Sequence, residues 1–258
     1  MQRATPLEAV LRRDRAVVLA GVLGVAALAW AYIFYLARGM NDLDLVMHPM
    51  EPWGGVDFLF RFVMWAVMMV AMMVPTAAPM ILLFATVNRR RREQQGPFVP
   101  TGVFLAGYVV AWSGFAALAT LAMWGLHTAA LLSPMLVSTS PLLGGALLVV
   151  AGIYQWSPLK RVCLTHCRTP LGFLMSEWRE GTWGGFRMGL RHGSYCVGCC
   201  WVLMALLFVT GVMNLLWVAA IAVFVLVEKV APAGPWLSRA TGLLLAGGGV
   251  WVVARALA

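Results

Sequence analysis

Read as apolar and polar positions, the chain is a series of long apolar runs separated by short stretches that hold nearly all of its charge. The runs fall at about 16–36, 58–86, 103–126, 136–156, 195–211, 215–230 and 237–257. Each is close to the ~20 residues that a helix needs to cross a bilayer, and none alternates with a period of two, so strands are excluded. The pattern predicts an all-α polytopic membrane bundle of about seven transmembrane helices, one domain over 16–257 behind a polar segment at 1–15. The fourth run is the weakest, because Pro141 and the Gly144-Gly145 pair interrupt it. The fifth and sixth are joined by only 211–214, so they should pack antiparallel. Gly242, Gly247, Gly248 and Gly249 in the last run would let a neighbouring helix approach closely.

Composition agrees with the pattern. The 258 residues are 62% hydrophobic and 11% charged, whereas a soluble domain carries about 25% charge. The net charge of +9 explains topology better than it explains nucleic-acid binding, which is not expected. Sixteen of the nineteen Lys and Arg fall on segments that a cytoplasmic N-terminus and a periplasmic C-terminus would leave inside; Arg38, Arg61 and Arg255 do not. Arg89 to Arg92 close the second run on that side, and the long connection at 157–195 is a cytoplasmic, partly helical loop that holds cysteines. Residues 38–57 are acidic and belong outside, with Asp57 and Arg61 placed as an interfacial pair. The first run is too long for a cleavable signal and lacks a small-residue cleavage site. A bacterial inner membrane is the expected location.

Chemistry concentrates in two places. The stretch 64–80, MWAVMMVAMMVPTAAPM, holds six methionines and two prolines. On a helix Met64, Met68 and Met72 lie at i+4 spacing with Met69 and Met73 beside them, giving one broad thioether face. Such a face either packs a bundle or binds a soft ion such as Cu(I). Pro75 and Pro79 should kink the run and free backbone carbonyls.

All five cysteines lie in or just after the 157–195 connection, in a reducing compartment where thiols bind metal or do redox work more often than they form structural disulfides. Cys163 and Cys167 flank His166, and Lys160, Arg161 and Arg168 beside them would favour thiolate. His192, Cys196 and Cys200 follow at i, i+4 and i+8, with Met204 extending the row and Cys199 alongside. A rise of ~1.5 Å per residue puts Met68 to Met73 roughly 17 to 24 Å from the outer face and Cys196 and Cys200 at roughly 22 and 16 Å. The two helices are therefore expected to face each other and share a Cu(I)-type site. His48 and His127 read as outer loop or interfacial groups. Asp57 and Glu228 stand near helix ends, where a charge can snorkel, and are the carboxylates to watch for proton or cation roles.

Four segments carry a resemblance: the 64–80 helix, GIYQWSPLKRVCLTHCRTPLGF at 152–173, GCCWVLM at 198–204 and GVMNLLWVAAIAVFVLVEK at 211–229. With them the chain, over about 57–250, resembles the bacterial predicted metal-binding integral membrane proteins, a family with a domain of unknown function whose members are sometimes labelled copper chaperones. The resemblance implies an inner-membrane helical protein that handles a metal, and directs interest to Met64, Met68, Met69, Met72, Met73, Cys163, Cys167, Cys199, Cys200 and Glu228. Three functions stay open. One is a protein that takes up, holds or delivers copper, with a metal-delivering or metal-accepting protein as partner. Another is a membrane oxidoreductase or a metal-binding subunit of one, although no nucleotide or haem motif is present. The third is a structural subunit of a membrane complex or homo-oligomer.

Overall fold

The computed structural model describes residues 6–39, 53–94, 99–131 and 140–258. Every regular element among them is helical: α1 (Pro6–Gly39), α2 (Gly55–Met73), a 3-10 turn (Pro75–Ala77), α3 (Ala78–Glu93), α4 (Thr101–Thr128), α5 (Pro141–Tyr154), α6 (Pro158–Arg168), α7 (Pro170–Glu177), α8 (Gly181–Ala205), α9 (Leu207–Thr210), α10 (Leu215–Val230) and α11 (Gly234–Leu257). Among the described residues five stretches are long and apolar enough to cross a membrane, and α5 with α6, bent by 64°, would make a sixth. The chain is thus a helical membrane bundle. The expected sixth run is α10, whose 16 residues reach only ~24 Å against a hydrocarbon core of ~30 Å.

Helices in lipid keep their apolar residues outside as well as inside, so burial separates central from peripheral elements. Within an apolar 18-residue stretch of Gly55–Glu93 61% of the residues are buried, and within one of Gly181–Thr210 56%, against 22% in the first span and 11% in the last. The Met-rich and Cys-rich helices are therefore the inner ones. Leu28, Tyr35, Leu118, Leu216 and Leu244 are exposed, as apolar side chains that meet lipid are expected to be.

The Met-rich run breaks where its prolines predict. α2 stops at Met73, one 3-10 turn follows, and α3 continues to the arginines. Because Ala77 donates to Val74 instead of Met73, the Met73 carbonyl is left to Thr76 Oγ1 at 2.8 Å and Tyr108 Oη at 2.9 Å. Protein groups thus satisfy a carbonyl that lipid could not.

Close packing sets the rest. A Cβ on Gly189 would stand 1.9 Å from the Phe104 carbonyl, and one on Gly107 would stand 2.1 Å from that of Phe186. Only glycine permits α4 and α8 to touch backbone to backbone in this way. α8 starts at Gly181, so the apolar run expected from 195 continues a helix that begins within the partly helical connection, its glycine face lying along α4. In the fourth run Pro141 opens α5 as its first residue, with Ser140 Oγ accepting from the Leu143 amide at 3.3 Å. The Gly144-Gly145 pair does not interrupt that helix, since Gly145 lies against the Gly249 carbonyl of α11. Gly242 and Gly249 make the expected close approach, whereas Gly247 and Gly248 face open space. The tight turn after α9 rests on Gly211 at φ 97°.

Gly189→Ala should lower stability by on the order of 2–3 kcal/mol through overpacking, read as a fall in melting temperature in detergent. Gly247→Ala should melt like the parent; equal melting of both variants would remove the α4–α8 contact as a determinant of the fold.

Candidate metal centre

α8 crosses the middle of the bundle and carries its thiols on a buried face. Cys196, Cys199 and Cys200 are at most 1% exposed. Cys199 Sγ and Cys200 Sγ both donate to the Cys196 carbonyl, at 3.1 and 3.0 Å, which holds them near the helix axis. Four other helices bring groups to this face. From α2, Met73 Sδ lies 3.9 Å from Cys200 Sγ. From α6, Cys167 Sγ lies 4.0 Å from Cys199 Sγ, and Cys163 packs so tightly on Gly198 that an added Cβ would stand 2.7 Å from its sulfur. From α10, Lys229 Nζ donates to Cys196 Sγ at 2.9 Å and to Thr76 Oγ1 at 3.0 Å. Tyr108 Oη on α4 completes the group, 3.0 Å from Cys196 Sγ.

The sulfurs meet in close pairs. Among the described residues no three His, Cys, Asp or Glu side chains form a group that could hold a metal ion. What stands together is thiol with thioether and thiol with thiol, a donor chemistry that suits a soft ion such as Cu(I) far better than a hard one.

The remaining candidates divide. Met64, Met68, Met69, Met72 and Met204 are fully enclosed in the core, 3% exposed or less, and the stripe reaches the thiols through Met73. His192 shares the α8 face with Cys196 but is packed among the rings of Phe104, Tyr108 and Phe173, with centroids 6.1, 5.9 and 5.3 Å away. Its Nδ1 has no hydrogen-bond partner among the described residues. His166 is bonded through Nδ1 to the Val162 carbonyl and stacks on Tyr195 at 4.2 Å. Aromatic packing accounts for both imidazoles. His127 lies 5.2 Å from the Trp53 ring, and His48 lies outside the described residues.

The two carboxylates behave differently from each other. Asp57 is exposed, caps α2 by accepting from the Gly54 amide at 2.9 Å, and forms the expected pair with Arg61 at 3.2 Å. Glu228, by contrast, does not snorkel. It is 0% exposed, with Oε1 2.7 Å from Lys160 Nζ and accepting from Ser238 Oγ. Lys160 also donates to Gln155. Of the cations expected beside Cys163 and Cys167, Lys160 is thus committed to Glu228, because a buried carboxylate demands a partner, and Arg168 to the backbone carbonyls of Glu228 and Pro232. The cation that meets a thiol is Lys229.

Lys229, Tyr108 and Thr76 are the site residues that sequence reasoning missed. A lysine closing an otherwise apolar helix, and a threonine between two prolines, were readable signals. Nothing about Tyr108 marks it before folding.

A helical membrane protein with buried thiol and thioether groups on a central helix pair is the class that fold and site define. Within that class the chain belongs to the PpoB2 copper chaperone family, whose model matches residues 62–252 and so includes Met73, Cys167, Cys196, Cys199, Cys200 and Lys229. No curated protein and no solved structure matches the chain.

Two measurements check this geometry. In a chain whose other four cysteines are Ser, a short bifunctional thiol reagent should bridge Met73→Cys to Cys200, read as an intramolecular mass increment. It should not bridge Met64→Cys, about 14 Å further along the same helix. Lys160→Met should cost about 3–5 kcal/mol by stranding Glu228, and adding Glu228→Leu should recover most of the loss in thermal denaturation; no recovery would mean that the pair is not the relevant unit.

Proposed function

We propose that this protein is a multi-pass inner-membrane protein that takes up, holds or delivers copper as Cu(I), through sulfurs at the junction of α2, α6 and α8. The observation that carries the reading is the Met73 Sδ to Cys200 Sγ approach of 3.9 Å inside a family whose model is described as a copper chaperone. The Cys167 and Cys199 pair, at 4.0 Å, is the second group of sulfurs on the same path. Thiolate and thioether donors hold Cu(I) by softness, and the low dielectric around them excludes competing water ligands. The Lys229 ammonium beside Cys196 offsets thiolate charge that would otherwise be stranded in an apolar interior. A metal-delivering or metal-accepting protein would complete the transfer at either end. The positive-inside rule supports a cytoplasmic side for the arginine-rich end of α3 and for the basic helix α6.

A second reading draws on the Cys167 and Cys199 pair alone. Two thiols at this separation need only a small helix shift to form a disulfide, so the same pair could exchange electrons with a partner thiol protein.

Metal content by mass spectrometry after anaerobic Cu(I) loading tests both readings. About one copper per chain is expected for the parent, with a loss of about tenfold in affinity or more for Cys200→Ser or Met73→Leu. If neither protein retains copper while Cys167 and Cys199 cycle reversibly between thiol and disulfide, the metal reading is overturned in favour of thiol exchange.

A further inference from the structure

The bend between α5 and α6 faces the start of α11 across a cavity of about 520 Å³. This cavity is lined by Lys160, Arg161, Arg168 and Arg239 together with Gln155 and Ser238, and by no carboxylate. The copper reading does not use it.

Its charge is unbalanced. Lys160 is matched by the buried Glu228, but Arg168 spends its guanidinium on two backbone carbonyls, those of Glu228 at 2.6 Å and Pro232 at 3.3 Å, which carry no charge. Arg161 and Arg239 are exposed. Four cations thus line a space with no carboxylate in its lining; the nearby Glu228 pairs with Lys160 through Oε1, and its buried Oε2 has no hydrogen-bond partner among the described residues. A second observation points the same way. Gln155 is 2% exposed and lines the cavity; its Oε1 accepts from Lys160, while its Nε2 is buried with no hydrogen-bond partner among the described residues. A buried amide donor beside uncompensated cations calls for an anionic oxygen acceptor.

The surroundings identify the kind of anion. Trp156, which lines the cavity and donates to the Arg239 carbonyl at 3.1 Å, is 42% exposed, and Trp236 is 70% exposed. Exposed tryptophans of this kind mark the membrane–water boundary. Leu159 and Val162, on α6 beside the cationic residues, are 58% and 54% exposed, an apolar strip next to a basic cavity. A phosphate group joined to acyl chains matches both surfaces, and basic pockets between spanning helices hold lipid head groups elsewhere.

We propose that this cavity binds the phosphate of an anionic phospholipid, with the exposed Arg161 and Arg239 as its clamps and Gln155 as the buried donor.

The full-length protein, delipidated in detergent, would be incubated with phosphatidylglycerol or phosphatidylcholine and followed by native mass spectrometry. Phosphatidylglycerol should be retained in preference, and Arg161→Gln with Arg239→Gln should weaken retention by about tenfold. Arg161→Lys with Arg239→Lys should keep it. The charge-matched control Arg187→Gln with Arg255→Gln, exposed residues elsewhere, should also keep it. Equal retention of the two lipids, or equal loss in the control pair, would overturn the proposal, and the parent's lipid preference decides it even if a variant folds poorly. Displacement by millimolar inorganic phosphate would assign the affinity to the phosphate alone; resistance to it would assign it to the lipid as a whole.

Discussion

A lysine ammonium in the interior of a membrane bundle is the constraint on which the central part of this structure turns. Lys229 is only 7% exposed, so protein acceptors must meet most of its hydrogen-bonding need. Those acceptors are Cys196 Sγ and Thr76 Oγ1. Thr76 is available only because Pro75 ends α2 and replaces its last turn by a 3-10 turn, and Cys196 only because α8 runs unbroken through this level. One buried charge therefore ties α10 to the break in the Met-rich helix and to the thiol face of α8. The same contacts draw Tyr108 into place, since its hydroxyl spans the freed Met73 carbonyl and the Cys196 sulfur.

A second buried pair does equivalent work at the other side of α10. Glu228, the neighbour of Lys229 in sequence, takes Lys160 from α6 and Ser238 from α11. Adjacent residues on a helix point about 100° apart, so this acid and this base cannot neutralise each other and instead recruit partners from different helices. α6 is fixed against α10 in consequence, and with it Cys167 is held opposite Cys199. Salt pairs and sulfur pairs are thus parts of one arrangement: the ionic contacts position the helices, and the soft atoms occupy what lies between them.

How this arrangement hides in sequence is instructive residue by residue. The Met73 contact with Cys200 was anticipated in kind, because thioethers at i+4 spacing and thiols at i+4 spacing on two inner helices of matching depth leave few alternatives. Lys160 was assigned to the wrong partner: in sequence it is close to Cys163, but its side chain leaves α6 on the face that looks at Glu228. His192 shares the spacing of the thiols yet ends in an aromatic enclosure, because Phe104 and Tyr108 on α4 and Phe173 on α7 fill the space around it. Periodicity states which residues share a face; it does not state what another helix brings to that face.

Hydropathy, charge and helix-breaking residues therefore determined by themselves that this chain is a helical membrane bundle, where its Met-rich helix breaks, and which two stretches concentrate the sulfur side chains. These are local properties, governed by transfer of side chains to lipid and by backbone geometry within a few residues. Only the tertiary structure decided that Met73 is the thioether that meets a thiol, that Lys229 is the cation at Cys196, and that Glu228 is buried with Lys160. Those outcomes depend on contacts between residues far apart in sequence, set by how closely glycine faces let α4 approach α8 and α5 approach α11, and no local pattern encodes that distance.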